Sequence, residues 1–503
     1  MDRTEPKRSR AWIAWSLAVV ASGCVKVGPD YAPPTPPVAQ AWWTPAPSVA
    51  VTPGADPTTW WGHFGDPVMH HLLELADQRN PSLRAAGLRV LEARARRGIA
   101  VGGLFPQTQA ASASYQETRI SELRPNSFPG IDLTTDDWRA GFDAAWEIDL
   151  WGRFRRAVES ADAALLEAEA SRQDVLVSLV AEVASSYVAL RTLERRLAVA
   201  RENVQVQSRG FEIADARYRG GAVTALDASQ AASLLAETKA LIPELEGAIR
   251  KTRTTISILL GMPPSDLASE LGGERPIPVV PADLAIGLPA DLLRARPDVR
   301  AAERALAAQS AQIGVAVAEL YPHLSLVGSL GLEAEHLDDL GDGRALEHFG
   351  GPSVRWAILN YGRIANDVRV EDARYQQALA AYEGTVLAAQ ADVENALAGL
   401  TAARGRVAEL ETAAAAARRA VELAGLQYRE GAVDYTRVLD TQQVLVAVED
   451  RLATSHGDVA LGITALYKAL GGGRMPSSGE RPDVVPPATP EEVTGWRSWL
   501  PSW

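Results

Sequence analysis

Between Arg153 and Arg219 the chain has apolar residues at alternating steps of three and four positions, with no proline and a single glycine. This spacing places the apolar side chains along one seam of an α-helix, and a sustained 3.5-residue period is typical of coiled-coil packing. At 1.5 Å per residue, a helix over 153–219 would be about 100 Å long. A helix of that length needs neighbours along its whole seam.

The same pattern recurs at an offset of 210 positions, which predicts a second long helix over 362–429. Each long helix ends in a Gly-Ala-Val turn, and a further helix is predicted after each turn, over 224–260 and 434–470. Thr224 and Asp434 are the expected N-terminal caps of these two helices. Upstream the copies match at an offset of 216, with helices predicted over 81–104 and 297–320. The chain is therefore an internal duplication, with repeat 1 over 81–261 and repeat 2 over 297–470.

A β-hairpin is predicted in each repeat, at about 105–150 and 321–361. Aromatic and aliphatic residues alternate with charged residues along Trp138–Leu150, and His323–Glu333 repeats this alternation with leucines. Period-two alternation of this kind is typical of an outer-membrane strand with lipid on one face and water on the other. The predicted lipid-facing residues are Trp138, Phe142, Trp146, Ile148, Leu324, Leu326, Leu330 and Trp356.

Four strands per chain leave two open edges, which is too few strands for a closed barrel. Because an unpaired strand edge is prohibitively costly in lipid, other copies of the chain must complete the barrel. Three copies would supply twelve strands. The predicted fold class is mainly α with a small β part, in which a trimeric 12-stranded outer-membrane β-barrel is continuous with a long α-helical barrel.

The N-terminus reads as an export signal over 1–23, in which basic residues precede the apolar run 11–21. Cys24 follows directly and is the only cysteine, so no internal disulfide can form. The position of Cys24 after small residues resembles a bacterial lipoprotein acylation site, and a covalent lipid such as palmitate is expected there. The alternative is an ordinary signal with a chance cysteine. Val25 favours the outer membrane, and the proline-rich stretch 24–59 reads as an acylated tether.

Net charge and motifs exclude several other classes of function. The formal charge is −13 and no basic block follows the N-terminus, so nucleic acid is not an expected partner. His70, His71 and Glu74 form one cluster, but a third metal ligand on the same face is missing, and no metal site is predicted. Motifs for phosphate binding and for nucleophilic catalysis are lacking, so the chain is not predicted to be an enzyme.

Three stretches of sequence resemble one family. They are Trp60–Pro67, Trp146–Arg153 and Leu288–Glu303. Through them, residues 60–470 resemble the TolC-like and OprM-like outer-membrane factors of tripartite RND-type efflux systems, in the NodT-like lipoprotein branch. The resemblance implies a homotrimer with an equatorial belt built from 60–80, 262–296 and the tail 471–503. The implied partners are a periplasmic adaptor (membrane fusion protein), an inner-membrane RND-type transporter and outer-membrane lipid.

The resemblance also implies a passive exit duct that is closed and opened at its periplasmic helical tip. Asp440 would lie near the threefold axis as part of an acidic constriction. The family often has an arginine three positions after this aspartate and a bulky apolar residue four before it; this chain has Gln443 and Thr436, so no ion-pair latch is expected there. The alternative is that Asp434 and Asp440 are a solvated pair at a helix start. The gate residues implied are Tyr428, Asp434, Thr436, Asp440 and Gln443.

The two tip turns are the adaptor-docking surface that the resemblance implies. The residues concerned are Arg219, Gly220, Gly221, Ala222, Val223, Arg429, Gly431, Ala432 and Val433. Two other functions stay open: an outer-membrane channel for type I secretion, and a non-transporting coiled-coil scaffold of the envelope. The alternation over Trp138–Leu150 disfavours the scaffold, since a scaffold needs no lipid-facing strand.

Overall fold

The computed structural model describes residues 25–36, 38–39, 41–44, 49–51, 62, 64–125, 130, 133–279, 284–286 and 296–472. The expected signal 1–23, the acylation site Cys24, the motif residues 288–295 and the tail 473–503 lie outside the described residues. The chain divides into two compact units. Unit 1 contains residues 1–35, 90–168 and 302–382, and unit 2 contains residues 36–89, 169–301 and 383–503.

Most of the described chain is helical. The helices are α1 Pro67–Arg79, α2 Pro81–Gly102, α3 Arg153–Arg219, α4 Ala225–Leu259, α5 Ala268–Leu271, α6 Pro297–Ala318, α7 Arg363–Arg429 and α8 Tyr435–Ala469. The strands are β1 Val49–Val51, β2 Thr108–Arg119, β3 Thr134–Ile148, β4 Leu284–Ile286, β5 His323–Ala334 and β6 Leu346–Arg355.

The two long helices, α3 and α7, have 67 residues each and end at the turns where the sequence pattern ends. Helices α2 and α6 both end two residues before the expected position. Phe105-Pro106 and Tyr321-Pro322 follow these ends. A proline disfavours helical geometry in the residue before it. In each repeat the chain therefore leaves its helix early and continues into a strand.

In unit 1, β2, β3, β5 and β6 form one sheet in the order β2-β3-β5-β6, antiparallel throughout. The two hairpins are therefore joined by the β3–β5 pair, and β2 and β6 are the edge strands. In unit 2, β1 and β4 form a short parallel pair.

The core of unit 2 follows the seam predicted for the long helices. Val183 and Leu190 of α3, Leu400 of α7, and Ile463 and Leu466 of α8 are all buried in one hydrophobic cluster. Met69 and Leu72 of α1 belong to the same cluster. The apolar stripe read from the sequence is thus the surface that holds these helices together.

Part of the predicted equatorial belt is described, and it is fixed to α3 by buried polar groups. The Tyr187 hydroxyl donates to Asp66 Oδ2 at 2.7 Å, while the other Asp66 oxygen caps α1. The fully buried Arg191 guanidinium donates to the carbonyls of Leu271 and Gly273 at 2.8 and 2.7 Å. These bonds hold segments from two distant parts of the sequence against one helix.

Among the described residues, α3 is the one helix that is long and apolar enough, by composition, to cross a membrane. In its most apolar stretch, 56% of the residues are buried inside the protein. A helix in a coiled-coil core is equally apolar, and α3 residues share a buried cluster with residues of α7 and α8.

Candidate channel wall and helical tips

The strand register places the predicted lipid-facing residues of β3 and β5 on one face of the sheet. Phe142 is paired with Leu330 and Trp146 with Leu326. Residues paired across antiparallel strands point to the same side, so both pairs lie on one face. This face is exposed although it is apolar: Leu330 is 56% and Phe142 49% accessible. The seven predicted residues within strands that the register places on this face are Trp138, Phe142, Trp146, Ile148, Leu324, Leu326 and Leu330.

The opposite face of the sheet is charged. Arg139 donates to Glu333 at 2.8 Å, and His323 Nδ1 lies 2.8 Å from Glu147 Oε1. The two pairs belong to strands β3 and β5, on the side that alternates with the apolar face. The sheet therefore has one apolar and one charged side across its two central strands.

The alternation fails on the edge strand β6. Phe349 is paired with Ser329 and therefore lies on the charged face, whereas His348 is paired with Leu330 and lies on the apolar face. The run Gly350-Gly351-Pro352 follows and gives almost no side-chain pattern. Sequence periodicity accordingly predicts the central strands well and this strand poorly.

Trp356, predicted as a lipid-facing strand residue, lies one residue beyond the end of β6 at Arg355 and therefore outside the strand. The Trp356 indole donates to the Leu320 carbonyl at 3.1 Å, two residues after the end of α6. Trp146 makes the equivalent bond to the Leu104 carbonyl at 3.2 Å. Both repeats thus hold a half-exposed tryptophan where helix and strand meet, by a bond to a carbonyl in the turn that follows the helix.

Both edges of the sheet are open in the single chain. Every residue of β2 is exposed, and so is every residue of β6 except Gly351. An open edge presents a row of unpaired backbone donors and acceptors, which can pair with a strand of another chain.

The two tip turns of unit 2 have the same geometry. Gly221 and Gly431 have φ values of 71° and 76°, a left-handed conformation that glycine adopts without a steric penalty. The Ala222 N–H donates to the Arg217 carbonyl and the Ala432 N–H to the Gln427 carbonyl, both at 2.9 Å. The predicted docking residues Arg219, Gly220, Gly221, Ala222, Arg429, Gly431 and Ala432 are exposed, while Val223 and Val433 are half-buried.

The expected cap of α8 is not formed. Asp434 occupies the N-cap position, but its carboxylate accepts no capping hydrogen bond. In repeat 1 the Asp227 carboxylate accepts from the Thr224 backbone N–H at 3.2 Å. The third residue of α8 is Arg437, which cannot accept such a bond. Asp434 therefore stays an exposed carboxylate at the tip.

The structure separates the predicted gate residues into two groups. Thr436, Asp440 and Gln443 are spaced by four and three positions, so they share one side of α8, and all three are exposed. Tyr428 is instead buried, with its ring edge-on to Tyr435 at 5.1 Å. Burial, followed by the nearby Tyr428, raises the pKa of Tyr435 to about 12.

Arg217 was missed in the sequence. Its Nη1 donates to the Tyr428 carbonyl at 2.9 Å and its Nη2 to the Arg429 carbonyl at 3.4 Å, and its guanidinium lies 4.5 Å over the Tyr428 ring. It thereby bonds to the carbonyls of the last two residues of α7, of which that of Tyr428 also accepts from the Gly431 N–H. These bonds connect the tip of repeat 1 to that of repeat 2. The available signal was a break in the repeat, since the equivalent residue is Gln427.

The sequence matches the model of the family described as outer membrane efflux protein over residues 72–262 and 288–472. The chain belongs to the outer membrane efflux protein family. This confirms the resemblance found in the sequence. It is 30% identical to nodulation protein T of Rhizobium leguminosarum bv. trifolii over 92% of this chain and 97% of the relative. It is 32% identical to the pyoverdine export outer membrane protein OpmQ of Pseudomonas putida, over 89% of this chain and 96% of the relative.

Solved structures of outer-membrane channels have the same fold. The OprN channel matches with a TM-score of 0.83 and 34% identity, over 90% of this chain and all of that one. The open-state MtrE channel of Neisseria gonorrhoeae matches with a TM-score of 0.78 and 27% identity, over 89% and 98% of the two chains. The predicted fold class, outer-membrane location and role in efflux are confirmed by these matches. The family and the named relatives are efflux channel proteins.

Proposed function

We propose that three copies of this outer membrane efflux protein form the exit duct of a tripartite pump. The observation that supports this most directly is the sheet β2-β3-β5-β6, which has two open edges, one exposed apolar face and one charged face. In lipid, β2 of one copy would pair with β6 of the next, because unpaired backbone groups there are prohibitively costly. Three sheets give a closed 12-stranded barrel whose charged face lines a water-filled lumen.

The tips are proposed as the moving end of the duct. Unequal contacts support this: Arg217 ties the tip of α7 to that of α3, while Thr436, Asp440 and Gln443 form an exposed polar side of α8. In the trimer this side would surround the axis as the constriction. A periplasmic adaptor would dock on the exposed turns and weaken the Arg217 contact, and an inner-membrane RND-type transporter would supply the energy.

The relatives favour small molecules as cargo. The names of two relatives refer to pyoverdine export and to toluene efflux. Both are small molecules, which favours drug-sized cargo over the protein cargo of a type I secretion channel. A lipid on Cys24 is part of the proposal, since it would add an anchor beside the barrel.

The face assignment can be tested with two neighbouring residues of β5. Leu330 lies on the apolar face and Ser329 on the charged face. An arginine on a lipid-facing strand costs roughly 2–4 kcal/mol at the middle of the bilayer. Leu330→Arg is therefore expected to abolish the outer-membrane trimer, whereas Ser329→Arg should assemble normally. Equal tolerance of both substitutions would show that this sheet is not a lipid-facing wall.

A further inference from the structure

Arg156, in the first turn of α3, is fully buried in unit 1 by the segment that follows Cys24. Its Nε and Nη2 atoms donate to the carbonyls of Val27 and Gly28, both at 3.0 Å. It also pairs with Asp30 at 3.0 Å and with Glu159 at 2.9 Å. A buried guanidinium is costly unless its donors are satisfied, and here two of them depend on backbone carbonyls of one extended segment.

Two glycines allow this segment to lie directly on a helix. Gly28 has a φ of 84°, and a Cβ there would overlap the Cα of Gly314 in α6. A Cβ on Gly314 would lie 2.8 Å from Arg156 Cδ. Backbone therefore meets backbone, with Arg156 packed against both, and a methyl group on Gly28 would force the segment away from α6, while one on Gly314 would displace the Arg156 side chain that bonds to the segment.

Further bonds hold the segment against the start of α3. The Val27 N–H donates to the Trp151 carbonyl at 3.0 Å, and Lys26 pairs with Glu159 at 2.9 Å. The Trp151 ring stacks on Tyr321 at 4.5 Å, at the end of the α6–β5 connection. Bonding to Arg156 holds the pKa of Asp30 below its usual value.

The repeat shows that this arrangement is specific. The position equivalent to Arg156 in repeat 2 is Asn366, which is exposed, and the position equivalent to Gly314 in repeat 1 is Gly98. A Cβ on Gly98 would meet nothing within 4 Å. The duplicated framework therefore has the arginine and the crowded glycine only where the single N-terminal segment lies.

We propose that Arg156 and Gly314 form a docking site for the segment Lys26–Asp30, and that this site holds the N-terminus beside the junction of β3 and α3. Arg156 is a positioning residue in this site. Val25 directly follows Cys24, and the Cα atoms of consecutive residues are about 4 Å apart, so Cys24 is close to the described segment. The lipid part of the inference rests on the proposed function: a lipid on Cys24 would enter the bilayer next to Trp151 and the tryptophans at the strand ends, as expected for an interfacial belt.

Lys26 allows a direct test, since it is the one lysine or arginine between Cys24 and Arg79. Cleavage by trypsin after Lys26 requires the segment to leave its site, so at low protease its rate follows the fraction of undocked molecules. The full-length protein in outer-membrane fragments would be digested, and the new N-terminus at Val27 followed by mass spectrometry. Arg156→Gln is expected to accelerate this cleavage about tenfold or more, because it removes the bonds to two carbonyls and to Asp30.

The glycines supply the matched controls. Gly314→Ala should accelerate cleavage after Lys26 to a similar extent, whereas Gly98→Ala, at the equivalent place in the other repeat, should leave it at the wild-type rate. Gly314→Ala also keeps the test decisive if Arg156→Gln does not assemble. Equal cleavage rates in wild type, Arg156→Gln and Gly314→Ala would overturn the docking site.

The released peptide separates this inference from the proposed function. Its mass shows whether Cys24 bears a lipid. Slow, Arg156-dependent cleavage with an unmodified peptide would uphold the docking site and refute acylation. Fast cleavage in the wild type with a lipidated peptide would uphold acylation and refute the docking site.

Discussion

Asn80 and Arg296 occupy equivalent positions in the two repeats and make equivalent contacts with different chemistry. Asn80 Nδ2 donates to the carbonyl of Leu259, the last residue of α4, at 2.8 Å. Arg296 Nη1 donates to the carbonyl of Ala469, the last residue of α8, at 2.7 Å. In both repeats a side chain just before one helix thus satisfies a free carbonyl at the end of another.

Replacing these two residues should have unequal effects on stability. Asn80→Ala removes this bond and the helix cap that Asn80 Oδ1 provides to the N–H groups of Ser82 and Leu83, at a cost of about 1–2 kcal/mol. Arg296→Ala should cost more, about 2–3 kcal/mol, because it also leaves Asp298 and Asp392 without their partner. Thermal dissociation of the purified oligomer measures both. A larger effect of Asn80→Ala would contradict this account.

Arg217→Gln should loosen the tip. The change introduces the residue that repeat 2 has at the equivalent position and removes two hydrogen bonds to the end of α7 together with the contact to the Tyr428 ring. A loss of about 1–2 kcal/mol shifts a closed–open equilibrium roughly tenfold towards the open state. The time-averaged conductance of the channel in planar bilayers should rise accordingly.

Arg219→Gln is the matched control for this experiment, since the Arg219 side chain is 77% exposed and pairs with Asp215 within its own helix. Its conductance should equal that of the wild type. Arg217→Gln with wild-type conductance would show that the Arg217 contact does not hold the tip closed.

Asp440→Asn tests the constriction. If Asp440 surrounds the trimer axis, three carboxylates are removed from the narrowest point, and the preference for cations over anions should fall. Reversal potentials in a salt gradient measure this preference. Asp434→Asn, at the start of the same helix, should have the smaller effect. If Asp440 and Asp434 are merely solvated residues at a helix start, neither substitution will change ion selectivity.

Tyr435 should stay neutral at a pH where a free tyrosine ionises. Burial raises its pKa to about 12, above the ordinary value of about 10. The pKa of Tyr435 is higher in the folded protein than in the unfolded chain. The stability contributed by burying the neutral ring is therefore complete below pH of about 10 and is lost as pH rises towards 12. The difference in ultraviolet absorbance between wild type and Tyr435→Phe reports this ionisation. Titration near pH 10 would contradict the buried position of the ring.

Gln207→Leu should stabilise the tip end of unit 2. The Gln207 side chain is 2% exposed, and neither of its amide atoms has a partner among the described residues. A buried amide without partners costs about 1–3 kcal/mol, and leucine has a similar volume. The dissociation temperature of the oligomer should therefore rise. A fall would mean that the amide is satisfied by a buried water.

The sequence predicts the long helices and the central strands because the pattern repeats over many residues. The helix ends also follow local rules, since Gly221 and Gly431 need a left-handed conformation and the prolines after α2 and α6 prevent continuation. The contacts of Arg156 and Arg217 could not be predicted from local rules. Both arginines donate to backbone carbonyls of distant segments, which leave no periodic trace.

Predictions from alternation and from residue type also fail at three places, which are Trp356, Asp434 and the strand β6. The run Gly350-Gly351-Pro352 gives almost no alternation from which the two faces of β6 could be predicted. Trp356 continues the apparent alternation beyond the end of the strand. Asp434 has the residue type of a cap but lacks the acid three positions later that completes the reciprocal bond in repeat 1. Residue type alone predicted a role that depends on a second residue.

Single-particle imaging of the mature protein in detergent would show whether three copies form one duct. We expect a threefold particle, with twelve strands at one end and helical walls extending about 100 Å from them, the length expected for α3 and α7. A monomer, or an oligomer in which β2 and β6 of neighbouring copies do not pair, would contradict the exit-duct assignment.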